Sequence, residues 1–192
     1  MYHHLTGRIV EKTPTLVVLD VRGIGFEIAI PVSTYERLPD AGEATLLIRR
    51  ISRNEDVRLY GFLTREEREV FRLVMTVQGV GPSGALSLLS TLNPSAFRNA
   101  VTEQDLPALM RSKGIGRKTA SRIATELLDK VQALPVNGET PARSTTDTAT
   151  AALINLGYSS KEAEKAVWRA EKALPKGAGP EDLIRHALKS AG

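Results

Sequence analysis

Two short stretches carry glycines in a spacing that could grip an anion. The first is Gly79-Val80-Gly81, followed by Pro82 and Ser83; the second is Gly114-Ile115-Gly116, followed by Arg117, Lys118 and Thr119. The second lies 35 residues after the first, and each sits between two helical patterns. Glycine lets a tight hairpin adopt φ > 0 and brings the backbone close to a ligand. The amides that open the following helix then point outward, and the helix dipole reinforces them as an anion site. An aliphatic residue between the glycines (Val80, Ile115) would plug each hairpin into a core. One further pair, Glu55-Asp56, stands among Arg49, Arg50, Arg53 and Arg58 and could be a metal site, a catalytic pair or a repelling patch.

The pattern h-G-h-G-x-x-x-A, present twice, is the helix-hairpin-helix signature. A single copy reads equally well as a helix connection with glycine C-caps. Two copies, the second crowded with base, favour DNA binding. Leu106–Thr125 holds five basic residues and no acid. Residues 63–134 hold ten basic against seven acidic groups, whereas 1–62 hold eight of each. Arg117, Lys118 and Arg122 would add ionic phosphate contacts. A grip on phosphates reads no bases, so binding should be independent of sequence and sensitive to salt.

Other chemistries fit less well. Gly79 to Gly84 formally spells GxGxxG, but a helix precedes it where a dinucleotide site needs a strand. Gly23-Ile24-Gly25 opens an alternating strand. Adjacent strand residues point to opposite faces, a poor geometry for Glu55 and Asp56 to share a metal, and residues 44–65 hold no other acid or histidine. A solvated turn remains open for that pair. His3, His4 and His186 lack metal-ligand spacing, so neither metal nor cofactor is expected. Without cysteine there is no disulfide framework or thiolate site. No apolar run reaches the roughly 18–20 residues of a membrane span. The start, MYHHLTGRIVEK, lacks the pattern of a secretory signal. A cytoplasmic setting is expected.

These residues need elements to position them. Residues 1–63 alternate as about five short strands with turn signals at Thr13-Pro14 and Arg22-Gly23, which predicts a small closed β-barrel, of which the OB-fold is one candidate. The few aromatics there (Phe26, Tyr35, Tyr60, Phe62) read as core before they read as base-stacking groups. At Thr64 the period becomes helical. Thr64 to Glu67 is a capping box opening a helix to about Val77, Asn93-Pro94 starts another, and Thr102 to Asp105 a short third. GRKTASRIATELLDKV predicts one amphipathic helix with Ala120, Ile123, Ala124, Leu127 and Leu128 on one face. Residues 64–134 thus form a tandem helix-hairpin-helix domain. The Pro-, Gly- and Thr-rich stretch at 135–146 predicts a flexible linker, and 147–192 a tethered three-helix bundle. The fold class is multidomain α+β.

Together the residues resemble the RuvA family of bacterial Holliday-junction branch-migration subunits, nearly end to end. The carriers are LTGRIVEK, GIGFEI, NED followed by LYGF, GVGP, GIGRKTASRI and LGYSSKEAEKAV. The resemblance implies a DNA-binding subunit without its own catalytic residues, active in recombination and DNA repair. It implies a homotetramer, or paired tetramers, holding an open four-way junction. The motor would be the RuvB ATPase, with RuvC resolvase in the same complex. The hairpin residues Gly79, Val80, Gly81, Ser83, Gly114, Ile115, Gly116, Arg117, Lys118, Thr119 and Arg122 would lie at the DNA, and Glu55 and Asp56 would form a central acidic pin. Leu156, Gly157 and Tyr158 would belong to a UBA-like RuvB-binding bundle. Ser83 departs from the lysine common in the family, and Asn54 directly precedes the acidic pair. The runner-up is a helix-hairpin-helix DNA glycosylase with Lys118 as nucleophile and Asp129 as the nearby acid.

Overall fold

Apolar residues at alternate positions force the first strands to curl around a shared interior. The computed structural model describes residues 2–53, 56–132, 134, 145–175 and 177–190, in two compact units, Met1–Gly138 and Glu139–Gly192. In the first unit five strands form a closed barrel in the order β1-β2-β3-β5-β4: β1 His4–Thr13, β2 Leu16–Val21, β3 Ile24–Ala29, β4 Glu43–Arg53 and β5 Asp56–Phe62. All pairs are antiparallel except the closing one, where Ile28 and Ala29 pair in parallel with Leu59 and Tyr60. Leu5, Ile9, Val17, Leu19, Ile28, Leu46 and Ile48 fill the interior. A helix that the sequence pattern does not announce, α1 Val32–Arg37, bridges β3 and β4. Six residues are too few for a helical period to register against its surroundings.

Strand β5 leads directly into α2, Arg65–Val74, and the expected capping box is formed. Thr64 Oγ1 accepts from the Glu67 amide at 3.1 Å, and Glu67 Oε2 accepts from the Thr64 amide at 3.1 Å. The same carboxylate reaches further. Oε2 also accepts from the Leu63 amide at 3.0 Å, and Oε1 from Arg37 of α1 at 3.2 Å. Glu67 is only 2% exposed. Beside it, Phe71 of α2 packs against Tyr60 and Phe62 of β5, with ring centroids 5.2 and 5.0 Å apart. Tyr60 and Phe62 therefore belong to the helical core, and the change of period at 63/64 lies inside one unit. The Val32 amide donates to Ser90 Oγ, and Arg68 donates to the His3 carbonyl.

The remaining helices of this unit are α3 Pro82–Thr91, α4 Pro94–Thr102, α5 Leu106–Met110, α6 Arg117–Glu126 and α7 Leu128–Gln132. The predicted long helix is thus two, divided at Leu127. The repeat noted in the glycines extends to the core. Val80 and Ile115, Ala85 and Ala120, Leu88 and Ile123, Leu92 and Leu127 are all buried at the same 35-residue offset. Ser112, the counterpart of buried Val77, is buried as well, and its hydroxyl meets no partner.

The second unit packs α8 Thr145–Asn155, α9 Ser160–Ala173 and α10 Pro180–Ser190 around a small, alanine-rich core that includes Leu153, Val167 and Leu183. Helix α8 begins at Thr145, within the segment expected to be linker; residues 135–144 lie outside the described residues. Gly157, with φ +101°, ends α8. The Tyr158 amide donates to the Leu153 carbonyl and the Gly157 amide to that of Ile154, a Schellman closure.

Because Glu67 satisfies the Leu63 and Thr64 amides, truncating it leaves both unmet, while the half-exposed Arg37 turns to water. Glu67→Ala is expected to lower the unfolding free energy by about 2–3 kcal/mol, read from urea denaturation. A change within error of zero would refute the role given to this carboxylate.

Candidate nucleic-acid interface

Both hairpins are built by the same hydrogen bonds. After α2 the Val77 amide donates to the Val74 carbonyl, and the Val80 amide to that of Val77 at 3.1 Å. After α5 the Ser112 amide donates to Leu109, and the Ile115 amide to Ser112 at 3.1 Å. Gly79 and Gly114 supply the left-handed residue each turn requires, with φ +94° and +87°. Val80 and Ile115 are buried, as expected of plugs. Both also approach Gly84: a methyl placed there would lie 3.5 Å from Ile115 Cδ1 and 3.7 Å from Val80 Cγ1.

The second glycine of each hairpin differs from the first. Gly81 (φ −97°, ψ 174°) and Gly116 (φ −85°, ψ 172°) are N-caps with backbone angles open to any residue. A Cβ built at either would meet nothing within 4 Å. The fold therefore does not demand glycine there. Four other helices are capped by side chains: Thr64, Asn93, Asp105 and Ser159 each accept from an amide of the helix they open, whereas the short α1 follows Pro31 without such a cap. Helices α3 and α6 have no such cap and no acid in the first turn. Their leading amides are left to an outside acceptor, which the dipole favours as an anion. Pro82 carries no N–H, so the first hairpin offers Gly81, Ser83 and Gly84, while the second adds Arg117, Lys118 and Thr119 to Gly116. The Arg117 and Lys118 side chains are exposed, and so is Ser83.

Arg122 also makes a contact within the protein. Its Nη1 donates to Gln78 Oε1 at 2.8 Å and lies 3.4 Å from the Gln78 carbonyl oxygen. Gln78 immediately precedes Gly79, so this bond ties α6 to the first hairpin. Sequence reasoning passed over Gln78, since a lone glutamine gives no signal of a partner 44 residues away.

Of the acidic pair, Glu55 lies outside the described residues, with Asn54. Asp56 opens β5 opposite Arg53, and its Oδ2 accepts from Arg58 Nε at 2.9 Å. Asp56 holds the Arg58 guanidinium above its ordinary pKa through that hydrogen bond and its charge. Both side chains are largely exposed, so the pair holds the two together only weakly. Among the described residues no three His, Asp or Glu side chains gather as a metal site. In the second unit, Leu156 is exposed, Gly157 makes the turn and Tyr158 packs on the core. Ile154 and Trp168 are further large apolar side chains left open.

Comparison with known proteins agrees with this geometry along the whole chain. Residues 1–61 match the RuvA N terminal domain, 71–129 a SAM-like helix-hairpin-helix tandem, and 146–192 the RuvA C-terminal domain. The chain is similar to the Holliday junction branch migration complex subunit RuvA of Symbiobacterium thermophilum, 43% identical over 98% of both chains. It is 44% identical to that of Methylibium petroleiphilum, over 99% of this chain and 98% of the relative. With that of Pseudomonas syringae pv. syringae it shares 40% identity over the full length of both.

If the open caps serve a ligand, filling them should separate stability from binding. Gly81→Ser and Gly116→Ser are expected to keep the unfolding free energy or raise it by a few tenths of a kcal/mol. DNA affinity should fall by about tenfold or more, roughly 1.4 kcal/mol, because the serine occupies the amides a phosphate would take. Unchanged affinity by fluorescence anisotropy would remove the amides from the interface.

Proposed function

The chain belongs to the RuvA family, and on that footing we propose that the two hairpins are the grip by which it holds a four-way DNA junction. Its function is to bind Holliday junctions without reading sequence and to recruit and stimulate the RuvB ATPase, which drives branch migration in recombination and repair. The observation that carries the grip is the pair of uncapped, acid-free helix N-termini behind two equivalent hairpins. Amides there donate to phosphate oxygens whatever the base sequence, with Arg117 and Lys118 adding charge and Ser83 a hydroxyl.

Four copies around the crossover would present four hairpin pairs to four duplex arms, which is why a homotetramer, or two facing tetramers, is the assembly proposed. The β4–β5 hairpin would then bring Glu55 and Asp56 to the centre, where like charge repels phosphates and keeps the parting strands open. Arg58 tempers that repulsion while it is bonded to Asp56, and an exposed pair of this kind yields readily to a competing phosphate. The second unit would dock RuvB through open apolar residues such as Leu156 and Trp168, while Gly157 and Tyr158 support that surface from within the bundle. RuvC would reach the same junction, in the cytoplasm. No helix of the described residues is long and apolar enough to cross a membrane.

The glycosylase reading is not favoured. Lys118 stands in the first turn of α6, and Asp129 is an exposed residue of α7 beyond the break at Leu127. The family likeness, moreover, spans barrel, hairpins and tail together.

A gel shift comparing a four-way junction with linear duplex of the same sequence tests the proposal. The junction is expected to bind at least about tenfold more tightly, roughly 1.4 kcal/mol; a smaller preference would defeat it. The pin has a separate signature. Glu55→Gln combined with Asp56→Asn should keep or tighten junction binding while slowing RuvB-driven migration, and weakened binding would instead mark these acids as structural.

A further inference from the structure

We infer that Arg122 and Gln78 form a clasp that sets the distance between the two hairpins, so that Arg122 acts as a positioning residue and not as a phosphate ligand. The inference rests on the phosphate reading above and refines it. Arg122 is the sixth residue of α6, about 7 Å along the axis from the leading amides. It lies one turn beyond Lys118 on the same side of the helix. Lys118 is exposed, whereas Arg122 is half-buried and spends Nη1 on the side chain and carbonyl of Gln78.

The place where that bond lands matters. The Gln78 carbonyl belongs to the peptide that enters Gly79, the left-handed residue on which the first hairpin turns. Holding that peptide fixes the aim of the hairpin from the neighbouring repeat. Val80 and Ile115 share one apolar core, but apolar contact is not directional. A hydrogen bond from a charged donor is directional and stronger than a neutral one. The clasp is also not a by-product of the repeat. The residues 35 positions away from Gln78 and Arg122 are Lys113 and Ser87, a pair that cannot reproduce a guanidinium-to-amide bond. Two phosphate sites on one duplex need a fixed separation, and one such tie supplies it.

The test is anisotropy of a labelled four-way junction with the full chain across a salt series, for the wild type, Lys118→Gln, Arg122→Gln, Gln78→Leu and the Gln78→Leu/Arg122→Gln double variant. Loss of a phosphate contact flattens log K against log salt by about 0.9 per contact, and Lys118→Gln is expected to do so. Gln78→Leu, which changes no charge, and Arg122→Gln should each weaken binding roughly three- to tenfold with the wild-type slope. The double variant should bind no worse than Arg122→Gln alone, and urea midpoints should match the wild type. The clasp is overturned if Arg122→Gln flattens the slope as Lys118→Gln does, if Gln78→Leu binds like the wild type, or if the two losses add. A fall in midpoint large enough to explain the weaker binding overturns it too. A wild-type slope near zero would instead overturn the phosphate reading itself, and the clasp with it.

Discussion

The buried carboxylate of Glu67 is the constraint on which the first unit turns. It accepts from two amides at the junction of β5 and α2 and from Arg37 of α1. An acid sealed away from water is costly unless its lone pairs are met, and here the backbone donors at a helix N-terminus meet them. That requirement is also a specification. The carboxylate is satisfied only when α2 leaves the barrel in one direction, and an aliphatic residue of equal volume would pack without imposing it. The end of α2 sets the first hairpin, and the repeat carries that placement on to the second. Barrel and hairpins are consequently one body, with Phe71 seated against Tyr60 and Phe62 as the apolar half of the same seam.

Helix capping sets the two hairpin helices apart from the helices that open with a side-chain cap. Thr64, Asn93, Asp105 and Ser159 each close a helix start. At Gly81 and Gly116 the chain forgoes a side-chain cap worth a few tenths of a kcal/mol relative to serine. The glycines before them are different in kind: Gly79 and Gly114 sit at positive φ, where any other residue is strained. Within each G-h-G, then, the backbone demands the first glycine and leaves the second free of that demand.

Much of this was legible in the sequence, because it is local. The capping box at Thr64, the Asn93-Pro94 start and the 35-residue repeat of glycines are short-range patterns with one physical meaning each. The strands were legible for the same reason. What escaped was set by tertiary contact. Helix α1 is too short to show a period, and the division at Leu127 leaves the apolar face of the sequence uninterrupted. The bond of Arg122 to Gln78 depends on how the repeats fold together, and charge beside a hairpin gives no sign of it. Gly157 was placed in the partner-binding bundle, and its φ of +101° shows the backbone task it has there in ending α8. The linker was drawn through Thr145 because threonine-rich sequence gives no helical signal, although a helix starts there.

The range of the forces explains why such rigidity is worth its cost. At physiological salt, charges in water are screened over about 8 Å, so acids on the β4–β5 hairpin repel a phosphate only when held within about that distance. Amide donors at α3 and α6 act over less, since a hydrogen bond is lost beyond about 3.5 Å. A protein that grips with the helices and repels with the barrel must therefore hold the two in register to a few ångströms. The second unit bears no such demand. A repelling acid has effect only where a grip has already placed the DNA. Glu67, the aromatic seam and the capping box are where the sequence meets that demand.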